Sequence, residues 1–125
     1  MDIKKLKEEI IQYSKLDSVD VKVEIYWKEM TDILSENIDS TISFFKSNCS
    51  DEELYWLSSV FEDVVKRTNN KEFVEVLQKR LSEVTPETYS QQNFQSEHMR
   101  KWVDYSEFHR CVGQEIDFAE GQLKP

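Results

Sequence analysis

The chain has 125 residues, and its 25 acidic side chains outnumber its 16 lysines and arginines, for a formal net charge of −9. It contains two glycines and two prolines, about a quarter of the combined share that is usual in globular proteins. Because sheets, barrels and phosphate-binding loops need these residues in their turns, the composition argues against a β-sandwich, a dinucleotide-binding fold or a P-loop. We therefore expect an all-α protein, a compact bundle of five to seven mostly antiparallel helices forming a single domain over residues 1–125.

The acidic balance also restricts the class of partner. Carboxylates repel phosphates, so nucleic acid and anionic membranes are disfavoured, whereas a basic protein is a suitable partner. The first residues carry lysines and then Glu8 and Glu9 instead of an apolar signal segment, and no run approaches the roughly 18 apolar residues of a membrane span. Cys49 and Cys111 have no paired-cysteine spacing. The sequence thus predicts a cytoplasmic protein with free thiols and no membrane association.

The N-terminal third contains two stripes of apolar residues at helical spacing. Asp20 is a candidate N-cap for the second stripe. Within that stripe we expect a break near Ser35–Asn37, because serine and asparagine side chains compete for nearby backbone groups. The first stripe is Ile3, Leu6, Ile10 and Tyr13, and the second is Val23, Trp27, Met30, Leu34, Ile38, Ile42 and Phe45.

The clearest local signal follows Cys49. Ser50 and Glu53 have the S-x-x-E spacing of a capping box, in which each side chain satisfies a free N–H group at the start of a helix. Lys66 and Arg67 suit the negative end of the helix dipole. The pattern predicts one helix that buries Leu54, Leu57, Phe61 and Val64.

The second half of the chain contains further helical patterns. The segment Thr68–Asn70 is a polar break, and Thr85 followed by Pro86 predicts another helix start. Gly121 follows the last stripe. The apolar positions are Phe73, Val74, Leu77 and Leu81 in one helix, and Phe108, Val112, Ile116 and Ala119 in the last.

No arrangement of residues typical of a catalytic or metal site is present. His98 and His109 are eleven residues apart, and neither has a glutamate three positions before it, so the Glu-x-x-His pairs of a di-iron bundle are missing. Cys49 or Cys111 could act as a nucleophile, although a small buried cysteine is the more common situation. The sequence therefore predicts no catalytic residue, no metal ligand and no cofactor.

The negative charge is concentrated in one part of the chain. Residues 17–53 contain ten acids and three bases, whereas residues 54–103 contain seven of each. A solvated helix face would explain this asymmetry, and so would a docking surface for a basic protein, with aromatic side chains as anchors. The candidate partner-binding residues are Glu24, Trp27, Glu29, Asp32, Glu36, Asp39, Asp51 and Glu52.

Three segments resemble a known family. Residues 49–63 (CSDEELYWLSSVFED), 71–73 (KEF) and 113–120 (GQEIDFAE) are similar to small bacterial immunity proteins that accompany polymorphic toxins, including those of contact-dependent growth inhibition systems. The resemblance implies a cytoplasmic helical protein that binds a cognate toxin domain and blocks its active site or substrate path. Such toxins are often nucleases with basic surfaces. In these segments, Trp56, Phe61 and Phe73 are expected to hold the fold.

The leading hypothesis is therefore an immunity protein that neutralises a basic, nuclease-like toxin through its acidic surface. One alternative is an acidic helical adaptor or regulatory protein unrelated to toxins. A more remote alternative is a small metal-binding enzyme that uses His98, His109, Cys49 or Cys111. The sequence leaves the toxin's activity and the oligomeric state open.

Overall fold

A computed structural model describes residues 1–17 and 19–125, and all regular structure in these ranges is helical. The all-α prediction is confirmed, but the predicted number of five to seven helices is too low, because short helices connect the longer ones. The α-helices are α1 (Ile3–Ser14), α2 (Val23–Glu36), α3 (Ile38–Ser47), α4 (Asp51–Leu57), α5 (Phe61–Thr68), α6 (Lys71–Ser82), α7 (Pro86–Ser90), α8 (Glu97–Trp102) and α9 (Tyr105–Glu120), and a 3₁₀ turn, Ser58–Val60, joins α4 to α5.

Several helix boundaries lie where side-chain capping predicts them. Asn37 separates α2 from α3 and accepts a hydrogen bond from the Ser40 backbone N–H, which confirms the predicted break. Ser50 and Glu53 form the complete capping box of α4. Thr85 caps α7, with Pro86 in its first turn. Local chemistry therefore sets these boundaries.

Two predicted boundaries are wrong. The Asp20 side chain accepts a hydrogen bond from the Lys22 N–H at 2.8 Å, and α2 begins only at Val23, so Asp20 shapes the preceding turn and does not cap the helix. The single helix expected after Ser50 is interrupted, because the Ser58 hydroxyl donates to the Tyr55 carbonyl at 2.6 Å and tightens the chain into the 3₁₀ turn. Ser18, in the predicted connection before α2, lies outside the described residues.

The core is one continuous cluster to which every α-helix contributes buried side chains. Phe45, Phe61 and Phe73 join α3, α5 and α6, with ring centroids 5.7 to 6.2 Å apart in edge-to-face arrangements. Helix α9 packs against both α5 and α6. As expected, Phe61 and Phe73 are fully buried and belong to the scaffold, whereas Trp56 packs against the core but is only partly buried.

The helices are antiparallel in some pairs only. In α1 and α2, Tyr13 near the end of one helix meets Trp27 near the start of the other. Helices α1 and α4, by contrast, run in the same direction where they touch, since Lys7 pairs with Glu53 and Tyr13 packs on Trp56. This places the start of α4 beside the first half of α1.

Candidate partner-binding surface

Three of the predicted acids form an unpaired, exposed set. Glu24 at the start of α2, Glu36 at its end and Asp39 at the start of α3 are exposed. Within the ranges that the structure describes, none of them forms an ion pair. We call these three residues the acidic surface; it extends along α2 over about 18 Å, with Glu24 at one end and Glu36 and Asp39 at the other. Their charge is available to an external partner.

Two further predicted acids on α2 already interact with neighbouring helices. Asp32 pairs with Lys28 at 3.0 Å and with Arg67 of α5, and the hydrogen bond from Arg67 lowers the pKa of Asp32. Glu29 is half-buried beside Glu9 of α1. Burial and the hydrogen bond with Glu29 raise the pKa of Glu9 to about 7. Much of the charge of Asp32 and Glu29 therefore acts within the molecule.

Asp51 and Glu52 hold distant segments in place. The Asp51 side chain is only 9% exposed; it forms an ion pair with Arg80 and accepts a hydrogen bond from Gln92 at 3.1 Å. Glu52 accepts hydrogen bonds from the backbone N–H groups of Gln95 and Ser96 at 2.8 and 3.0 Å. These bonds fix the loop before α8. The structure therefore gives both carboxylates a bonding role inside the chain.

Exposed apolar residues lie close to Glu24 in the chain, and two of them, Val19 and Val21, belong to the segment that the sequence predicts to connect the first two stripes. Val19 is 84% exposed, Val21 is 87% exposed and Ile25 is 56% exposed. Asp20, Lys22 and Glu24 alternate with apolar residues along this segment. The alternation of apolar with charged residues was the available signal. Large apolar side chains that are exposed together, with a polar rim, are typical of interaction sites.

Trp27, the predicted anchor, lies in an aromatic cleft. The cleft has a volume of about 470 Å³ and is lined by Tyr13, Trp27, Tyr55, Trp56 and His98, together with Asp17. The Trp27 indole N–H donates to the Tyr13 hydroxyl at 2.9 Å, and the rings of Tyr13 and Trp56 meet edge to face with centroids 5.7 Å apart. The ring of Trp56 lies 5.4 Å from that of His98. Helices α1, α2, α4 and α8 thus bring five rings together.

The residues considered for catalysis do not form a site. Burial raises the pKa of both cysteine thiols, and Cys49 is additionally disfavoured as a thiolate by Glu53, so neither is activated as a nucleophile. His98 packs on Tyr55 and Trp56, whereas His109 packs on Tyr105. In the described part of the chain, no group of three or more histidine, cysteine or acidic side chains could hold a metal ion.

Comparisons with known proteins give no assignment. No protein-family model matches the chain, and no curated protein or solved structure shows significant similarity to it. Among the helices of residues 1–17 and 19–125, none is both long and apolar enough to cross a membrane. The immunity function therefore stays a proposal, supported by the resemblance and by the surface described above.

Proposed function

We propose that this chain is an inhibitory binding protein, an immunity factor that binds a basic bacterial toxin domain and neutralises it. The observation that supports this most directly is the combination of unpaired acids and large exposed apolar side chains within residues 19–39. Glu24, Glu36 and Asp39 provide the charge. Val21 and Ile25 provide apolar area that would be buried in a complex.

The two kinds of side chain have different roles in binding. Unpaired carboxylates attract a basic partner over several ångströms and raise the rate of association. The exposed valines and isoleucine then lose contact with water, which supplies a large share of the affinity. An acidic surface of this kind competes with a phosphate backbone for the basic site of a nuclease. Inhibition then follows from occupation of that site.

The experiment uses the protein domain encoded next to this chain's gene, expressed in bacteria alone and together with the chain. We expect growth arrest with the domain alone and normal growth when both are present. The triple variant Glu24→Lys, Glu36→Lys and Asp39→Lys should weaken binding of the domain by at least about tenfold and reduce protection, because it places cations opposite a basic partner. Isothermal titration calorimetry of the purified chain and domain measures the loss of affinity.

A matched triple variant separates charge position from total charge. Glu72→Lys, Glu83→Lys and Glu87→Lys change exposed acids at equivalent places, two in first helical turns and one at a helix end. This control should protect as well as the unchanged chain. Equal protection by both variants would show that the acidic surface is not the contact site. If the neighbouring domain does not arrest growth, or the chain fails to rescue it, the immunity proposal is wrong and a regulatory role becomes the better hypothesis.

A further inference from the structure

The aromatic cleft has the electrostatic character of a cation-binding site. The faces of tryptophan and tyrosine rings carry negative potential and attract cations that lie over them. Asp17 adds a carboxylate to the lining, and no lysine or arginine of the described chain lines the cleft. Burial raises the pKa of Tyr55 to about 12, which keeps its ring neutral. A cation in this cleft would thus have aromatic side chains and one carboxylate as neighbours.

Trp56, which lines the cleft, carries an unsatisfied donor. Its indole N–H is buried and makes no hydrogen bond to the residues that the structure describes. A buried donor without an acceptor destabilises the protein, and such groups are worth examining as functional features. Aromatic rings with a single carboxylate suit a weakly hydrated organic cation better than an inorganic ion, which needs several oxygen ligands.

We propose that the aromatic cleft binds an arginine side chain of the basic partner, with the guanidinium group between the rings and facing Asp17. Arginine suits the cleft better than lysine, because its planar group stacks on aromatic rings and is more weakly hydrated than an ammonium group. The inference rests on the proposed function in one respect: it takes the partner to be a basic protein.

A neighbouring hollow that shares Trp56 lacks these properties. It has a volume of about 600 Å³, and three cationic side chains, Lys7, Lys15 and Arg100, line it and repel an incoming guanidinium group. Lys7 pairs with Glu53 at 2.7 Å, and Arg100 donates to the carbonyl groups of Phe94 and Gln95 at 2.8 and 2.7 Å. Its bonds are internal to the fold. The aromatic cleft is therefore the better site for an arginine.

The test is a titration of the full chain, labelled with ¹⁵N, with the capped tripeptide acetyl-Gly-Arg-Gly-amide. The three tryptophans give three indole N–H signals. We expect those of Trp27 and Trp56 to shift at millimolar peptide, while that of Trp102, which is 72% exposed and outside the cleft, stays in place. The same peptide with citrulline in place of arginine is uncharged, and we expect it to bind at least about fivefold more weakly. Equal binding of the two peptides, or equal shifts of all three indole signals, would overturn the proposal.

Substitutions locate the binding site within the cleft. The Asp17 carboxylate accepts a hydrogen bond from the Val19 N–H at 3.2 Å, and Asp17→Asn keeps an oxygen for this bond but removes the charge. The variant should weaken arginine binding about threefold. Trp27→Leu should reduce binding further, and the matched variant Trp102→Leu should leave it unchanged. An Asp17→Asn variant that binds the arginine peptide as tightly as the unchanged chain would contradict the role of this carboxylate. Thermal unfolding of each variant confirms that it is folded.

The peptide titration and the growth-rescue experiment test the two proposals separately. If the chain rescues growth but does not distinguish arginine from citrulline, the cleft proposal fails and the immunity proposal stands. If the cleft prefers the arginine peptide but the chain does not rescue growth, the cleft proposal stands and the immunity proposal fails. The peptide preference and the rescue together support both proposals, and a Trp27→Leu variant that weakens both peptide binding and rescue connects the cleft to the partner.

Discussion

At the scale of single residues, the neighbours of a carboxylate decide its role. Asp51 and Asp32 both form ion pairs with arginines, but the side chains of Asp51 and Arg80 are 9% and 14% exposed, whereas those of Asp32 and Arg67 are 44% and 45% exposed. Water screens the attraction between Asp32 and Arg67, whereas the attraction between Asp51 and Arg80 is screened much less. The same chemical group therefore has very different effects on stability.

This difference leads to a prediction for Asp51→Asn. The change leaves the Arg80 guanidinium buried without its carboxylate, so we expect the free energy of unfolding to fall by about 3 kcal/mol. Asp32→Asn is the matched control and should lower it by less than about 1 kcal/mol. Urea unfolding followed by circular dichroism measures both values. Similar losses in the two variants would contradict the assigned role of Asp51.

The contact between Glu9 and Glu29 predicts a pH dependence. Since the pKa of Glu9 is raised from 4.5 in the unfolded chain to about 7 in the folded protein, the folded state binds the extra proton between these values. Stability is therefore expected to fall as the pH rises from about 4.5 to 7. Glu9→Gln imitates the protonated form. It should raise the Tm by about 2–4 °C at pH 8 and change it little at pH 5.

Thermal unfolding of both proteins across this pH range provides the measurement. Glu8→Gln on the same helix is the control, because Glu8 is exposed and is the weakest of the influences on the pKa of Glu9; it should give a much smaller pH-dependent gain. An equal gain for Glu9→Gln at both pH values would show that the carboxyl pair does not share a proton.

At the scale of helices, capping side chains set the boundaries. Glu53 takes part in the α4 capping box and also pairs with Lys7 of α1, so the start of α4 is connected to another helix. Asn69 ends α5 in the left-handed conformation with φ of 47°, a place where glycine is usual. A chain with two glycines thus uses asparagine in this turn.

The capping box predicts the effect of Ser50→Ala. The change removes the acceptor for the Glu53 N–H, now at 3.1 Å, and should lower the free energy of unfolding by about 1 kcal/mol. Ser43→Ala within α3 is the control, since an exposed serine inside a helix has no capping role and alanine favours the helix. Chemical denaturation distinguishes the two. A loss in Ser43→Ala as large as in Ser50→Ala would argue against the capping explanation.

At the scale of the whole molecule, the distribution of charge matters more than its sum. The two triple lysine variants change the net charge by the same amount, yet only one of them alters the acidic surface. Long-range attraction depends on the field near the proposed docking site, and the second variant places its lysines on α6, its C-terminal cap and α7 instead of on α2 and α3. The comparison between them therefore tests the surface and not the overall acidity.

The sequence alone determined the helical class and many of the helix boundaries. Apolar spacing and the caps at Asn37, Ser50 and Thr85 act over three or four residues, so they can be recognised without knowledge of the fold. Of the acids that the sequence singles out, Glu24, Glu36 and Asp39 are exposed. The capping role predicted for Asp20 is wrong, because several residues that can act as caps lie close together between α1 and α2.

Only the tertiary structure decided which acids remain available and where Trp27 lies. Asp51 is buried because Arg80, 29 positions later, is brought beside it, and Glu52 is used by a loop more than 40 positions away. The aromatic cleft likewise combines residues of four helices. Such contacts depend on how the helices pack, which local patterns do not encode. The sequence therefore predicted the elements, and packing selected the residues available to a partner.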